Sequence, residues 1–151
     1  MATQRALSIE DKNLSTVSLA TTRNREYIDV DLAFNKKPTS GEIYKKFNAA
    51  AVKQAVKNLV MTNRNEKPFQ PYYGADLNSL LFELADENTA TEIEENIREQ
   101  IRVYEPRVDF SSLKVTADVN LDFNSVDVTV VFQVINTNET VEFTTVLNRL
   151  R

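Results

Sequence analysis

The side chains of this 151-residue chain that could carry chemistry are carboxylates, lysines and tyrosines, because histidine and cysteine are both absent. Nucleophile pairs of the Ser-His or Cys-His kind are therefore excluded, as are imidazole and thiolate metal sites. Paired carboxylates could still hydrolyse a glycoside if they lay about 5–9.5 Å apart across a cleft. Seven acids are candidates for that role: Glu83, Glu92, Glu94, Glu95, Glu99, Glu105 and Asp109.

These acids carry no mark of a catalytic pair. Glu92, Glu95 and Glu99 share one face of a predicted helix with arginines, which is an ordinary pattern for a solvated helix. The sequence has no tryptophan to stack on a sugar, and its two glycines cannot build a phosphate-cradling loop. Asp118, Asn120 and Asp122 share the polar face of one predicted strand and could be considered for a metal, but we expect them to face solvent or an interface. We therefore predict that the chain is not an enzyme and has no cofactor or metal site.

The most informative residues are Glu105-Pro106-Arg107, set between an amphipathic helical pattern and a run of alternating strands. Proline has no N–H to donate and disfavours the α conformation in the residue before it, so the helix must stop here. A fixed turn flanked by an acid and a base is well suited to docking, because a rigid backbone lowers the entropy cost of holding an ion pair.

Composition places these residues in one globular domain. Hydrophobic residues make up 42% of the chain and charged residues 26%, with a net charge of −4. We expect no nucleic-acid partner, because there is no long basic run, and no membrane span, because no apolar stretch approaches about 20 residues. The first residues lack the apolar core of a signal peptide. Residues 1–25 are predicted to be an arm that is flexible or ordered only on a partner, and residues 26–151 a single domain.

The first half of that domain reads as one strand followed by helices. Alternating apolar residues from Ile28 to Phe34 predict a half-buried strand. The spacing Thr39-x-x-Glu42 fits a capping box that opens a helix from about Gly41 to Met61. A loop follows over residues 62–74, and we expect its aromatic residues to pin it to the body. Leucines at helical spacing then predict a short helix: Leu77, Leu80, Leu81 and Leu84.

The second half predicts a third helix and three strands. Thr89-x-x-Glu92 repeats the capping-box spacing, and the helix should run to about Val103. Alternating apolar residues in 113–123, 126–134 and 141–147 then indicate a three-stranded antiparallel β-meander, and the fold class is α+β. The last strand can lie at a sheet edge, which is a template for a strand of another chain. The opposite possibility, that charges or the N-terminal arm cover this edge, stays open. The candidate partner-binding residues on it are Val141, Phe143, Thr145 and Leu147.

Two segments also carry a likeness to a known family. The first is Asn65-Glu-Lys-Pro-Phe-Gln-Pro-Tyr-Tyr-Gly74, followed by Leu80-Leu-Phe-Glu83, and the second is Tyr104-Glu-Pro-Arg-Val108. In this order, with helices between them, they resemble the baseplate wedge proteins of contractile phage tails, over roughly residues 28–149. The family often has glycine where this chain has Asn65, but asparagine is the best substitute in a left-handed turn.

The resemblance implies a structural role and a set of partners. Such proteins look like the inner wedge component next to the tail hub, and like the platform on which sheath polymerisation begins. Neighbouring wedge proteins and the tail sheath protein would be the partners, with tail tube or hub proteins as further ones. The location implied is the virion tail baseplate, after assembly in the host cytoplasm.

The same resemblance gives the signature residues a role. Glu105 and Arg107 would be docking charges, with Pro106 setting their angle. The alternative is an internal salt bridge that only holds the turn. Two other functions stay open beside the phage baseplate: a component of a type VI secretion baseplate, and a murein hydrolase, since some members of the family have carried a lysozyme label.

Overall fold

The computed structural model describes residues 26–81, 87–120 and 125–148. The predicted arm over residues 1–25 lies outside them, as do Glu83, Leu84 and Asp122. Two short strands come first, and three helices and three longer strands follow. In chain order they are β1 (Ile28–Val30), β2 (Lys45–Phe47), α1 (Asn48–Met61), α2 (Leu77–Leu81), α3 (Glu87–Tyr104), β3 (Val108–Asn120), β4 (Ser125–Val134) and β5 (Thr140–Asn148).

The C-terminal strands form the antiparallel sheet that their alternation predicts, in the order β3-β4-β5. One face of this sheet packs against the helices, and β4 at its centre supplies the most deeply buried side chains, including Val128, Val130 and Phe132. Helix α3 adds Ile97 and Ile101 to the same core. The predicted α+β class is therefore confirmed, with strands and helices burying one shared apolar face.

The first predicted helix is wrong over its N-terminal part. Helix α1 begins at Asn48, and residues 45–47 instead form β2, which pairs antiparallel with β1. The capping box at Thr39 is not used: Ser40 accepts a hydrogen bond from the Glu42 N–H, and Gly41 turns the chain with φ +74°. Pairing with a strand 15 or more residues away outweighs the local helical pattern.

The third helix and the loop over residues 62–74 agree in part with what the sequence predicts. Helix α3 begins at Glu87, so Thr89 lies inside its first turn, and it ends at Tyr104, one residue beyond the predicted end. In the loop over residues 62–74, Tyr73 packs against the core, whereas Phe69 and Tyr72 are exposed. The expectation that all three aromatic residues pin the loop is therefore wrong for two of them. Asn65 has φ +65°, which confirms the left-handed turn.

Candidate docking turn and sheet edge

The turn after α3 is built from main-chain hydrogen bonds that proline brings to an end. The Glu105 N–H donates the last helical bond to the carbonyl of Ile101, at 2.9 Å. Pro106 cannot continue this pattern, and the Val108 N–H bonds back to the Glu105 carbonyl at 3.2 Å. The Ile135 N–H donates to the Arg107 carbonyl at 3.0 Å, which fixes the turn to the loop between β4 and β5.

Inside this turn Arg107 holds both oxygens of Glu105. Its Nε lies 2.5 Å from Glu105 Oε1 and its Nη2 lies 2.8 Å from Glu105 Oε2, which is a bidentate pair. The third nitrogen, Nη1, donates to Asp29 on β1 at 3.1 Å. Glu105 is 7% exposed and the Arg107 side chain 24%. The hydrogen bonds to Glu105, with its charge and that of Asp29, raise the pKa of Arg107, so the guanidinium stays charged.

Aromatic rings surround the pair. The Arg107 guanidinium lies 5.6 Å from the centre of the Tyr27 ring, and Tyr104 meets Tyr73 edge-to-face at 5.1 Å. Burial, followed by the nearby charge of Glu105, raises the pKa of Tyr73. An open groove of about 590 Å³ runs between residues 26–28 and 104–107. One wall of this groove is therefore the whole Glu-Pro-Arg turn.

The four candidate residues of the last strand are buried in the core. Val141, Phe143 and Leu147 point inward, and the Thr145 hydroxyl donates to the sulfur of Met61 at 3.3 Å. What β5 can offer a partner is therefore its main chain. Within the described residues it pairs with β4 alone.

The register of β4 and β5 indicates which main-chain groups are free. The Val134 N–H donates to the Glu139 carbonyl at 3.1 Å, and hydrogen-bonded pairs alternate from there along an antiparallel ladder. The N–H and C=O groups of Glu142, Thr144 and Val146 then point away from β4. The exposed side chains of the same three residues flank this edge.

Three of the candidate acids are held by hydrogen bonds within the part of the chain that the structure describes. Both Glu105 oxygens are held by Arg107, the Glu94 carboxylate accepts a hydrogen bond from the Ala117 N–H, and Asp109 accepts bonds from Ser111. Among all the residues that the structure describes, no group of three or more acids could hold a metal ion. The described helices are also too short or too polar to cross a membrane.

Most of the described sequence matches a known protein family. The model of the family "Baseplate wedge protein gp25" matches residues 48–139. The chain belongs to the baseplate wedge protein gp25 family. The gp25 protein of Enterobacteria phage T4 is 30% identical over 92 residues, which cover 61% of this chain and 69% of that protein. The chain is thus a structural component of a tail baseplate.

Solved structures agree on the fold. A chain of the anti-feeding prophage baseplate is 20% identical, with a TM-score of 0.56 over 83% of this chain and 88% of that one. A chain of the type VI secretion baseplate complex is 14% identical, with a TM-score of 0.55 over 67% and 93%. A candidate tail lysozyme from Geobacter sulfurreducens is 20% identical, with a TM-score of 0.58 over 66% and 89%.

Sequence reasoning missed one residue that binds the turn. Asp29, the second partner of Arg107, stands 78 positions earlier in a strand and looks like any solvent-facing acid of an alternating pattern. The match to the family model begins at Asn48, so β1 and β2 lie outside it. The only signal for Asp29 is its place on the opposite face of β1 from Ile28 and Val30.

Proposed function

We propose that this wedge protein docks to neighbouring wedge subunits through the Glu-Pro-Arg turn and offers β5 as the platform on which the tail sheath begins to polymerise. Wedge neighbours and the sheath protein are the direct partners in this proposal, and tube or hub proteins lie next to it. Assembly takes place in the host cytoplasm before the baseplate joins the virion tail.

The observation that supports docking at the turn is its rigidity. One guanidinium joins the end of α3 to β1, and the Arg107 carbonyl is bonded to the loop between β4 and β5. A surface that is already fixed loses little conformational entropy when a partner binds. Pro106 is exposed at the tip of this braced turn, and Arg107 is the cation that borders the groove.

Replacement of Arg107 tests this role, provided that folding is controlled. Arg107→Ala leaves the buried Glu105 carboxylate without its partner, and loss of one partner of a buried pair costs about 3–5 kcal/mol. The matched variant Glu105→Gln/Arg107→Gln removes both charges and should restore folding. If the charge of Arg107 is needed for docking, the double variant stays folded but does not co-assemble with its neighbouring wedge proteins. Normal co-assembly of the double variant would show that the Glu105–Arg107 pair only holds the turn and does not take part in docking.

The observation that supports the platform is the β5 edge. Its inward side chains are anchored in the core, while the outward main chain of Glu142, Thr144 and Val146 has no partner strand among the described residues. The resemblance to contractile tails implies a sheath whose subunits join by strand exchange, and a rigidly held sheet edge of this kind can accept an added strand.

The substitution Thr144→Pro tests the edge without removing a main-chain hydrogen bond of the β4 ladder. It does remove the contact of the Thr144 hydroxyl with that of Thr129 at 3.2 Å, and the control variant Thr144→Val removes the same contact. Proline removes an N–H that points outward, so the monomer should fold, but strand addition loses a hydrogen bond and meets the proline ring. Thr144→Val keeps the N–H and the branched shape, and it should support sheath assembly. Electron microscopy of particles carrying Thr144→Pro should show baseplates or tubes without sheath, as should a nonsense mutation of the gene. Fully sheathed particles with Thr144→Pro would contradict the proposal that β5 is the platform for the sheath.

We also infer that the role is non-enzymatic. The support is that Glu105, Glu94 and Asp109 are engaged within the chain and that no tryptophan is present. The purified protein should release no soluble fragments from murein under conditions in which a lysozyme does. Release that is lost in Glu105→Gln would instead support hydrolysis.

A further inference from the structure

The two edges of the C-terminal sheet are covered to different extents. The order β3-β4-β5 makes β3 and β5 the outer strands. On β5 the outward main-chain groups have no partner strand among the described residues. An outer strand on either side of a sheet presents N–H and C=O groups to which another chain can add a strand. The β3 edge is therefore the one whose protection has to be explained.

The register shows which main-chain groups of β3 lie on this outer edge. Hydrogen-bonded pairs between β4 and β5 start at Val134 and recur at every second residue, so the β4 residues between them bond to β3. Thr129 is one of these, and its partner on β3 is Thr116. The main-chain groups of the residues on either side of Thr116, which are Val115 and Ala117, consequently point away from β4.

A carboxylate of α3 occupies the outer edge at Ala117. The Ala117 N–H donates to Glu94 Oε1 at 3.0 Å. Glu94 follows the fully buried Ile93 on α3, and this helix packs mainly along β3. About two turns further on, the Arg102 guanidinium lies 5.4 Å from the centre of the Phe110 ring on β3. Helix α3 therefore runs beside β3, and Glu94 is the residue that bonds to its main chain.

The beginning of β3 is protected by a bulge. Pairing with β4 shifts between Asp109 and Lys114. Here the Ser112 hydroxyl accepts the hydrogen bond of the Gln133 N–H at 2.9 Å and donates to the Asp109 carbonyl at 2.8 Å. A bulge interrupts the regular row of main-chain groups that an added strand requires. The regular part of β3 begins at Lys114, and Glu94 binds within that part.

We propose that Glu94 closes the β3 edge to strand addition, so that a second copy of the chain cannot add its β5 there. An added strand needs the Ala117 N–H as a donor, and a charged acceptor already holds it. Without this block, β5 of one copy could pair with β3 of the next, and head-to-tail pairing of this kind can repeat without closing. Glu94 thus keeps copies of the chain apart and leaves β5 open for a strand of a different protein. The proposal shares the open β5 edge with the sheath platform but does not require that the sheath binds there.

Substitution of Glu94 in the purified full-length chain tests the block. Glu94→Ala removes the acceptor and shortens the side chain, whereas Glu94→Gln keeps an acceptor oxygen in the same place. In sedimentation velocity, Glu94→Ala should form species larger than the monomer as its concentration rises, while the wild type and Glu94→Gln stay monomeric. An alanine variant that stays monomeric at every concentration would overturn the proposal. Equal association of the glutamine variant would overturn it too.

Folding and the lost bond are measured on the same variants at low concentration. Thermal unfolding followed by circular dichroism shows whether Glu94→Ala is folded, and Glu94→Met, which keeps the length of the side chain without an oxygen, repeats the test if it is not. The Ala117 amide should exchange its hydrogen about tenfold faster in the alanine variant than in Glu94→Gln, because one hydrogen bond to a charged group is lost. Equal exchange would mean that Glu94 does not hold the edge.

A second substitution identifies the strand that is added. Glu94→Ala/Thr144→Pro has a proline on the outer edge of β5 and should be monomeric again, whereas Glu94→Ala/Thr144→Val should still associate. Association that persists in the proline variant would show that β5 is not the added strand and would overturn the proposal. Sheathed particles with Thr144→Pro alone would contradict the sheath platform and leave the block by Glu94 intact, so the two proposals can fail independently.

Discussion

Arg107 donates hydrogen bonds to both carboxylate oxygens of Glu105, and its remaining nitrogen donates to Asp29 on β1. The guanidinium therefore has two roles. It neutralises a buried acid at the end of α3, and it links β1 to the turn that follows α3. This arrangement depends on a planar group with several fixed donors, which lysine does not have.

Arg107→Lys should for this reason lower the free energy of unfolding even though it keeps the charge. An ammonium cannot satisfy two Glu105 oxygens and Asp29 together, and we expect a loss of about 1–3 kcal/mol, as for hydrogen bonds to charged groups. Urea unfolding of the two proteins measures it. Asp29→Asn is the matched control, since it weakens only the more exposed arm of the interaction and should cost less than about 1 kcal/mol. Equal stability of Arg107→Lys and the wild type would contradict the bidentate geometry.

The two glycines of the chain should respond differently to alanine. Gly74 has φ +111°, and a Cβ there would lie 2.3 Å from the Thr62 carbonyl oxygen, so the loop must shift. The Gly74 N–H also donates to the buried Gln100 side chain at 3.1 Å, and a shift would break that bond. Gly74→Ala should cost more than about 3 kcal/mol, the upper end of common point-mutation effects. Thermal unfolding would show it as a large drop in Tm.

Gly41→Ala is the comparison for that prediction. Gly41 has φ +74°, but the nearest atom to an added Cβ is the flexible end of Lys36, at 3.2 Å. Only the left-handed backbone is penalised, at about 1–2 kcal/mol. If Gly41→Ala proved as damaging as Gly74→Ala, close packing against Thr62 would not be the cause.

Asn65 should be replaceable by glycine but not by valine. Its φ of +65° is left-handed, and its N–H closes the loop by donating to the Pro71 carbonyl at 3.0 Å. Asn65→Gly should change the free energy of unfolding by less than about 1 kcal/mol, because relief of strain offsets the added freedom of the unfolded chain. Asn65→Val should lose about 1–2 kcal/mol. Chemical denaturation of the two variants at one pH makes the comparison, and a stable valine variant would refute the left-handed turn.

Local pattern was enough to predict the sheet and the end of α3. The alternation from Val126 to Val134 reflects one buried face, and proline after Glu105 has a direct effect on the helix. The pairing of β1 with β2 could not be predicted, because residues 45–47 form a strand only by pairing with residues 28–30. The contact of Asp29 with Arg107 is equally non-local. Sequence also suggested Val141 and Phe143 as partner-binding residues. Their side chains are buried in the core, so a role of these residues in partner binding stays a prediction that concerns the strand they belong to.

The phenol of Tyr73 reports on the charge of Glu105. Burial is the larger cause of its raised pKa, and the negative charge of Glu105 adds to it. Glu105→Gln should therefore move the pKa of Tyr73 part of the way back toward 10, and no further, because burial remains. The ultraviolet absorbance of ionised tyrosine, titrated with and without Tyr73→Phe, isolates this one group. A titration unchanged by Glu105→Gln would mean that the carboxylate does not act on the phenol.

The same shift makes stability depend on pH in the alkaline range. A group whose pKa is higher in the folded protein contributes stability that is fully present below its unfolded pKa, about 10 for tyrosine, and that is lost as the pH rises through the folded value. The wild type should thus lose stability above about pH 10 more steeply than Tyr73→Phe, which has no phenol to ionise. Denaturation midpoints of the two proteins between neutral pH and pH 11 measure this difference. Parallel curves would show that Tyr73 ionises as easily in the fold as outside it, and that its contacts with Tyr104 and the turn do not shield it.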